Sequence, residues 1–394
     1  MPAPPNILWI VTTQWRAQAT GYAGDPNART PVLDALAAAS VNYTQAVTPH
    51  PFGPFARAAL LTGVPSPENG VRDYFDMLPP QSRTIAHELK ARGYHTAFFG
   101  KWGVGRRDPR VPLVSEEAAR VIVPGRERGG FDFFEGFEGG FQINDPWLHG
   151  TRMPAPEQVN GYQSDVVSRR AAEWCARAAP LFCVVSLEAP HPPYAAPAAG
   201  IERRDPAGLI LSPNVPALAE PRARRELAGY HAHIEATDRA MGRLLAAVPN
   251  ETIVVFASVH GDMHGAHGLF RKGWPQEESV RVPLLIRTPG EAPRRDDTPV
   301  SLLNLPALTL AKTENRESRI ESPLARISMP SVVALPDQCD RVWRGVRTRS
   351  RKLVLNADGS PWLFFDLERD ALERSNLAAD PARVAEIAAL RALA

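Results

Sequence analysis

Between residues 260 and 267 the chain reads His-Gly-Asp-Met-His-Gly-Ala-His, which concentrates three imidazoles and a carboxylate in one short segment. Imidazole is both a common metal ligand and the side chain whose charge changes near neutral pH, so the segment suggests metal coordination or proton transfer. His260 and His264 have the i, i+4 spacing of zinc ligands on a helix, but Gly261 and Gly265 argue against a helix there. His260 is therefore favoured as a site residue without metal. His50, just before Pro51-Phe52-Gly53, could reach a pocket. His231 and His233 lie two apart in a helical pattern, face different ways, and are assigned to surface or packing. The Arg-rich runs Arg222 to Arg225 and Arg347 to Arg351 read as solvated faces. Cys175, Cys183 and Cys339 are too scattered for a disulfide framework or a Cys-based zinc site, and so few cysteines fit a reducing compartment.

With 45 Lys+Arg against 43 Asp+Glu among 394 residues, the net charge is +2. That balance argues against a nucleic-acid partner, which would require a basic excess. A hydrophobic share of 44% excludes global disorder. No apolar stretch approaches the roughly 20 residues of a membrane helix, and Met1 to Pro5 carry no basic residue of an export signal. The expected protein is soluble and cytoplasmic, with no membrane partner; its Pro, Ala and Arg usage hints at a GC-rich bacterial genome. No feature specifies an oligomeric state.

These candidates need a scaffold. Asn6 to Val11 is a short apolar run that predicts a buried parallel strand opening into Thr12-Thr13-Gln14. Helices are predicted from Thr30-Pro31, from Thr84 to a Gly93 stop, over Ser164 to Ala178 and over Arg225 to Ala247. Strands are predicted over Thr96 to Phe99, Leu181 to Leu187, Thr252 to Ser258 and Val282 to Ile286. This alternation implies an α/β fold with a mostly parallel sheet flanked by helices, and ligands beyond the carboxyl ends of its strands. Gly105 to Glu157 reads as excursion loops. The expected division is a core over 1–335 and a C-terminal subdomain over 336–394. Antiparallel strands are expected there over Arg341 to Val354 and Pro361 to Phe365, then a helix over Asp380 to Leu393.

Several segments then combine into one pattern. Pro5-Asn6-Ile7-Leu8, Thr30-Pro31 and Arg57-Ala58-Ala59-Leu60-Leu61-Thr62-Gly63 resemble the sulfatase family of the alkaline phosphatase superfamily. The likeness continues through Gly100-Lys101-Trp102, Gly130-Phe131-Asp132, Ala189-Pro190-His191, Gly268 to Gly273 and Glu277 to Pro283. It reaches Arg351-Lys352-Leu353, Phe365-Asp366-Leu367 and Ser375-Asn376-Leu377. Thr13-Gln14-Trp15-Arg16 leans toward the phosphonate monoester hydrolase branch.

The resemblance implies a formylglycine nucleophile made from cysteine and a divalent cation held by acids. This chain departs from both. The nucleophile position is Gly53, or Phe52 if Phe55 is an insertion. Thr13 and Gln14 replace the acids after the first strand, and Val259-His260 replaces the later Asp-His pair, so no metal or other cofactor is expected. Arg57, Lys101, His191 and Lys272 match family positions that bind the anion or protonate the leaving group. The expected catalytic residues are His191, Lys101 and His260. The expected substrate-binding residues are Arg57, Lys272, Thr13, Gln14 and Gly53. Glu188 stands where many sulfatases carry His and is expected to act as a base or to pair with Lys101. The expected partner is a small anionic molecule. Three functions follow: a repurposed metal-independent enzyme, a non-catalytic binding or scaffold protein, or a sulfatase or phosphonate hydrolase with unconventional ligands.

Overall fold

The structure, a computed structural model, describes residues 4–177, 180–314, 316 and 324–394. The first strand, Ile7–Thr12, is buried along its whole length, which requires apolar layers on both faces of its sheet. Ile7, Trp9 and Val11 enter one core, and Leu8 and Ile10 enter the other. Strand Ile253–Ser258 repeats this division, sending Ile253, Val255 and Ala257 one way and Val254 and Phe256 the other. The first core takes helix Gly53–Thr62 through Phe55, Ala58, Leu60 and Leu61, and helix Ile85–Lys90 through Ile85 and Leu89. The second takes helix Gln163–Cys175 through Val167, Ala171 and Trp174, and helix Glu220–Ala247 through Leu227, Ile234, Met241 and Leu244. The result is a helix–sheet–helix sandwich.

The large sheet has ten strands. Ile7–Thr12 lies at its centre, parallel to Leu181–Ser186 on one side and Ile253–Ser258 on the other. His95–Lys101 and Phe133–Phe137 continue the parallel run outward from Leu181–Ser186. Toward the opposite edge the sheet turns mixed, because Leu284–Arg287 pairs antiparallel with Ile253–Ser258. The expected α/β fold with a mostly parallel sheet is therefore present. The stretch Gly105 to Glu157 differs from its expected role as loops, since it supplies Phe133–Phe137 and Trp147–Gly150 to the sheet. Its glycines and charges hid a strand that is buried at every position.

Local signals explain several boundaries. Thr84 caps its helix by accepting from the Ala86 amide at 3.2 Å, while His87 takes the reciprocal place in a capping box. The helix expected from Arg225 begins at Glu220, with Pro221 in its first turn. The helix expected over Ser164 to Ala178 runs Gln163–Cys175, and Ala178 lies outside the described residues, as do Met1 to Ala3 of the inspected N-terminus.

The C-terminal region forms a four-stranded antiparallel sheet, with Leu324–Met329, Trp343–Thr348, Arg351–Asn356 and Pro361–Asp366 in that order. Its first strand lies before the expected boundary at 335, and the span Arg341 to Val354 is two strands joined by a turn. Helix Val384–Arg391 covers one face through Ile387. The Arg347 to Arg351 run is not a solvated face throughout. Arg347 is buried and donates to Glu277 Oε2 at 3.0 Å. Its neighbour Lys352, wholly buried, lies 2.7 Å from Glu277 Oε1 and 2.6 Å from Glu373 Oε1. The Arg222 to Arg225 run is likewise half-buried at Arg222, which bonds Asp337 Oδ2 at 2.6 Å and covers the Phe270 ring.

Candidate functional site

Four parallel strands end at one edge of the sheet, so the residues that follow them converge. Ile7–Thr12 delivers Thr13 and Gln14, His95–Lys101 delivers Lys101, and Leu181–Ser186 delivers Glu188 and His191. Ile253–Ser258 delivers His260, helix Gly53–Thr62 brings Gly53 and Arg57, and Lys272 arrives from the following loop. Thr13, Gly53, Arg57, Lys101, His191, His260 and Lys272 line a single cavity of about 810 Å³ including its open mouth. Gln14 sits behind this lining. It adopts a left-handed backbone at φ 66°, uncommon for a non-glycine residue, and presents its amide oxygen to Lys272.

The floor is cationic. Arg57 donates from Nη1 to Ser186 Oγ at 2.6 Å and the Lys101 carbonyl at 3.1 Å, and from Nη2 to Thr13 Oγ1 at 2.7 Å. Burial pushes its guanidinium down to about 10, against the opposing pull of Glu188. Lys101 donates to Glu188 Oε1 at 2.8 Å, the pairing expected for Glu188, and its ammonium lies 4.5 Å from the Phe141 ring centroid. The other face relation of Phe141 is a near-parallel stack on His191 at 4.6 Å. Burial lowers the Lys101 ammonium, and Glu188 partly restores it.

Lys272 donates to Gln14 Oε1 at 2.6 Å and to His191 Nε2 at 3.0 Å. The second bond assigns His191 a lone pair at Nε2 and a proton at Nδ1, which donates to the Pro192 carbonyl at 2.8 Å. His191 is thus neutral, held well below the ordinary imidazole range by burial and by the Lys272 and Lys101 charges. The 3.4 Å approach of His191 Nδ1 to Glu188 is consequently no ion pair. Burial, reinforced by Lys101, pushes Lys272 down to about 7, although Asp262 opposes it. His260 donates from Nδ1 to the Gly261 carbonyl at 2.9 Å, while its buried Nε2 has no hydrogen-bond partner among the described residues. Burial and Lys272 keep this ring neutral too. A neutral base thus stands beside a lysine poised near neutrality.

Neither feature of formylglycine chemistry finds its residues. A Cβ built on Gly53 would meet no atom within 4 Å, so the nucleophile position is open space; Phe52 instead packs edge-on against Tyr74 at 5.6 Å. Where a divalent cation would need carboxylates, Thr13 Oγ1 accepts from Arg57 and Gln14 Oε1 accepts from Lys272. The two positive groups would repel a metal ion, and neutral oxygens that already accept from them are poor ligands for it. Asp262 is turned to Gln14 Nε2 and to Tyr194 OH, the latter at 2.6 Å. Among the described residues no group of three His, Cys, Asp or Glu is placed to hold a metal. The donor set does not fit the family's cation.

The remaining histidines go elsewhere. His50 is buried away from the cavity, its Nε2 accepting from the Ser66 amide at 2.8 Å, which corrects the expectation that it reaches the pocket. His231 and His233 are both core residues, with His233 stacked on Tyr162 at 5.8 Å. His264 packs on Tyr230, ring centroids 4.2 Å apart. Sequence reading missed Phe141, Glu138, Arg107 and Tyr74, which also line the cavity. Phe141, Glu138 and Arg107 lie in the stretch read as excursion loops, Tyr74 lies in a segment to which no element was assigned, and no spacing rule connects them to the strand ends.

Comparison with known proteins agrees with the fold. A model described as "Sulfatase" matches residues 5–312. The chain is 34% identical to an ulvan-active sulfatase from Formosa agariphila, over 96% of this chain and 78% of that one. It is 25% identical to an arylsulfatase from Clostridium perfringens, over 95% of this chain and 90% of that one. The phosphonate monoester hydrolase of Agrobacterium radiobacter superposes with a TM-score of 0.75 at 21% identity, over 99% of this chain and 96% of that one. No helix among the described residues is long and apolar enough to cross a membrane.

Proposed function

The chain belongs to the sulfatase family, and we propose that it acts on a small anionic substrate by metal-independent acid–base chemistry. The carrying observation is that one cationic cavity is lined both by His260, whose buried Nε2 has no hydrogen-bond partner among the described residues, and by Lys272, pushed down to about 7. Arg57, Lys101 and Lys272 bind the anionic group, with Thr13 and Gln14 holding two of those cations in place. His191 orients Lys272, and Gly53 leaves room for the anion at the start of its helix, where backbone dipoles add positive potential.

The names of the relatives make sulfate esters the first substrates to test. His260 would take a proton from water as the water oxygen attacks sulfur. The S–O ester bond then breaks, and the leaving oxygen takes a proton from Lys272, giving an alcohol and hydrogen sulfate. A second reading, binding without turnover, draws on Gly53, since no side chain replaces the missing nucleophile. Incubation of metal-stripped protein with aryl and carbohydrate sulfates, phosphonate esters and carboxylates separates the two. Turnover lost in His260→Ala and Lys272→Met supports the enzyme; tight binding with no turnover across the panel supports the binding protein.

A further inference from the structure

The cavity has a second polar feature that the anion does not use. Glu138 is almost fully buried in the wall, and one of its oxygens, Oε2, accepts from the Gly105 amide at 2.8 Å. The other, Oε1, has no hydrogen-bond partner among the described residues. Arg107 forms an ion pair with this oxygen, but its Nε stops 3.6 Å away, too far for a hydrogen bond. Arg107 is held there by other contacts: Nη2 donates to the Asp76 carbonyl at 3.2 Å, and the guanidinium lies 4.8 Å from the Tyr74 ring centroid. A buried carboxylate oxygen without a donor is costly, so it marks a position where a ligand donor is gained. Burial raises the Glu138 carboxyl, against the pull of Arg107 and the Gly105 amide, which agrees with an acid short of partners.

Much of the rest of the cavity wall is apolar. Phe52, Tyr74, Val111, Leu113, Phe141 and Leu335 all face the cavity. Carbohydrate hydroxyls would find few partners on such a wall, whereas an aromatic or aliphatic body buries well there.

We propose that Glu138 is a specificity-determining residue, and that the ligand is an anion with an apolar body carrying a hydroxyl or ammonium donor that reaches Glu138 Oε1. This rests on the anion-binding reading above and names the class of molecule that the site takes.

Calorimetric titration of the full chain with stable sulfonates tests it. Benzenesulfonate, 4-hydroxybenzenesulfonate and 4-(aminomethyl)benzenesulfonate share the anion and the ring, and galactose 6-sulfate supplies a polar comparison. At least one donor-bearing ring is expected to bind about tenfold tighter than benzenesulfonate, and all three to bind tighter than the sugar sulfate. Glu138→Gln keeps an acceptor and removes the charge. A preference that survives it identifies a hydroxyl ligand, and a preference that it abolishes identifies an ammonium. The comparison among ligands uses the unaltered protein and so does not depend on the variant folding. Equal affinity for the three rings, or tighter binding of the sugar sulfate, overturns the proposal while leaving the anion site standing. Binding of none of the four overturns both.

Discussion

Two buried charge clusters in this molecule use the same residue types to opposite ends. At the seam between the core and the C-terminal sheet, Glu277 and Glu373 meet Arg347 and Lys352. Each cation there has a carboxylate oxygen within 2.6 to 3.0 Å. Although burial alone would raise the Glu277 carboxyl, Arg347, Lys352 and Arg281 together hold it well below its ordinary value. In the cavity, Arg57, Lys101 and Lys272 face only Glu188 directly, and His260 Nε2, Arg57 Nε, Arg107 Nε, Glu138 Oε1 and Glu188 Oε2 have no hydrogen-bond partner among the described residues. At the seam each carboxylate meets a cation, although Arg347 Nη1 too lacks a hydrogen-bond partner among the described residues, while the cavity keeps an excess of positive charge that an anion would complete. Buried charge serves structure where it is balanced within the fold and function where it is left short.

Removing a partner at each place should therefore have opposite consequences. Lys352→Met leaves Glu277 and Glu373 facing each other in the interior and should destabilise the fold by about 3–5 kcal/mol, measured by urea denaturation. Lys272→Met removes a cation held against its own desolvation. It should weaken anion binding by about 10- to 100-fold, measured by calorimetry, and change stability by no more than about 1 kcal/mol. If Lys272→Met unfolds the protein as Lys352→Met does, the two clusters are alike and the contrast fails.

The pH dependence sharpens the same contrast. Lys272 is lowered from 10.5 to about 7, so the free protein loses this charge as pH rises through about 7. An anion favours the charged form, so affinity should be highest below 7 and should fall above it. Binding at pH 8 should then take up a fraction of a proton, read from calorimetry in two buffers of different ionisation enthalpy. The sign for folding follows from the same shift: between about 7 and 10.5 the unfolded chain holds the proton that the folded chain has released, so this group makes stability rise with pH there. The smallest effect is expected at Gly53. Gly53→Ala adds a methyl into open space and should leave stability within about 0.5 kcal/mol, yet weaken anion binding several-fold by occupying the cavity.

The two clusters also differed in how far the sequence disclosed them. The cavity floor was readable because Arg57, Lys101, His191 and Lys272 stand in short motifs that resemble those of the sulfatase family, and a parallel sheet brings the segments after its strands together. His260 was readable for the same reason, and the glycines around it argued correctly against an α-helix there. The seam was not readable. Arg347 and Lys352 stand in a basic run that looks solvated, and their carboxylates lie about 20 to 75 residues away on other elements. Pairing across a seam between two sheets leaves no local period. The apolar wall was hidden likewise, because Phe141 and Glu138 sit in a Gly-rich stretch whose buried strand shows no alternation. His50 was misplaced because adjacency to Gly53 in sequence says nothing of side-chain direction at a bend: its ring turns to Ser66 and Ser328.

The central claim is that cationic side chains, rather than a metal ion, hold the anion. The most direct test is titration of the protein with 4-hydroxybenzenesulfonate after exhaustive chelation, then again with millimolar Ca²⁺ or Mg²⁺, alongside elemental analysis of the purified chain. The account predicts the same affinity in all three conditions, a loss of at least tenfold in Arg57→Gln, and far less than one metal ion per chain. Binding that appears only when a divalent cation is restored, with about one ion bound per chain, would contradict it.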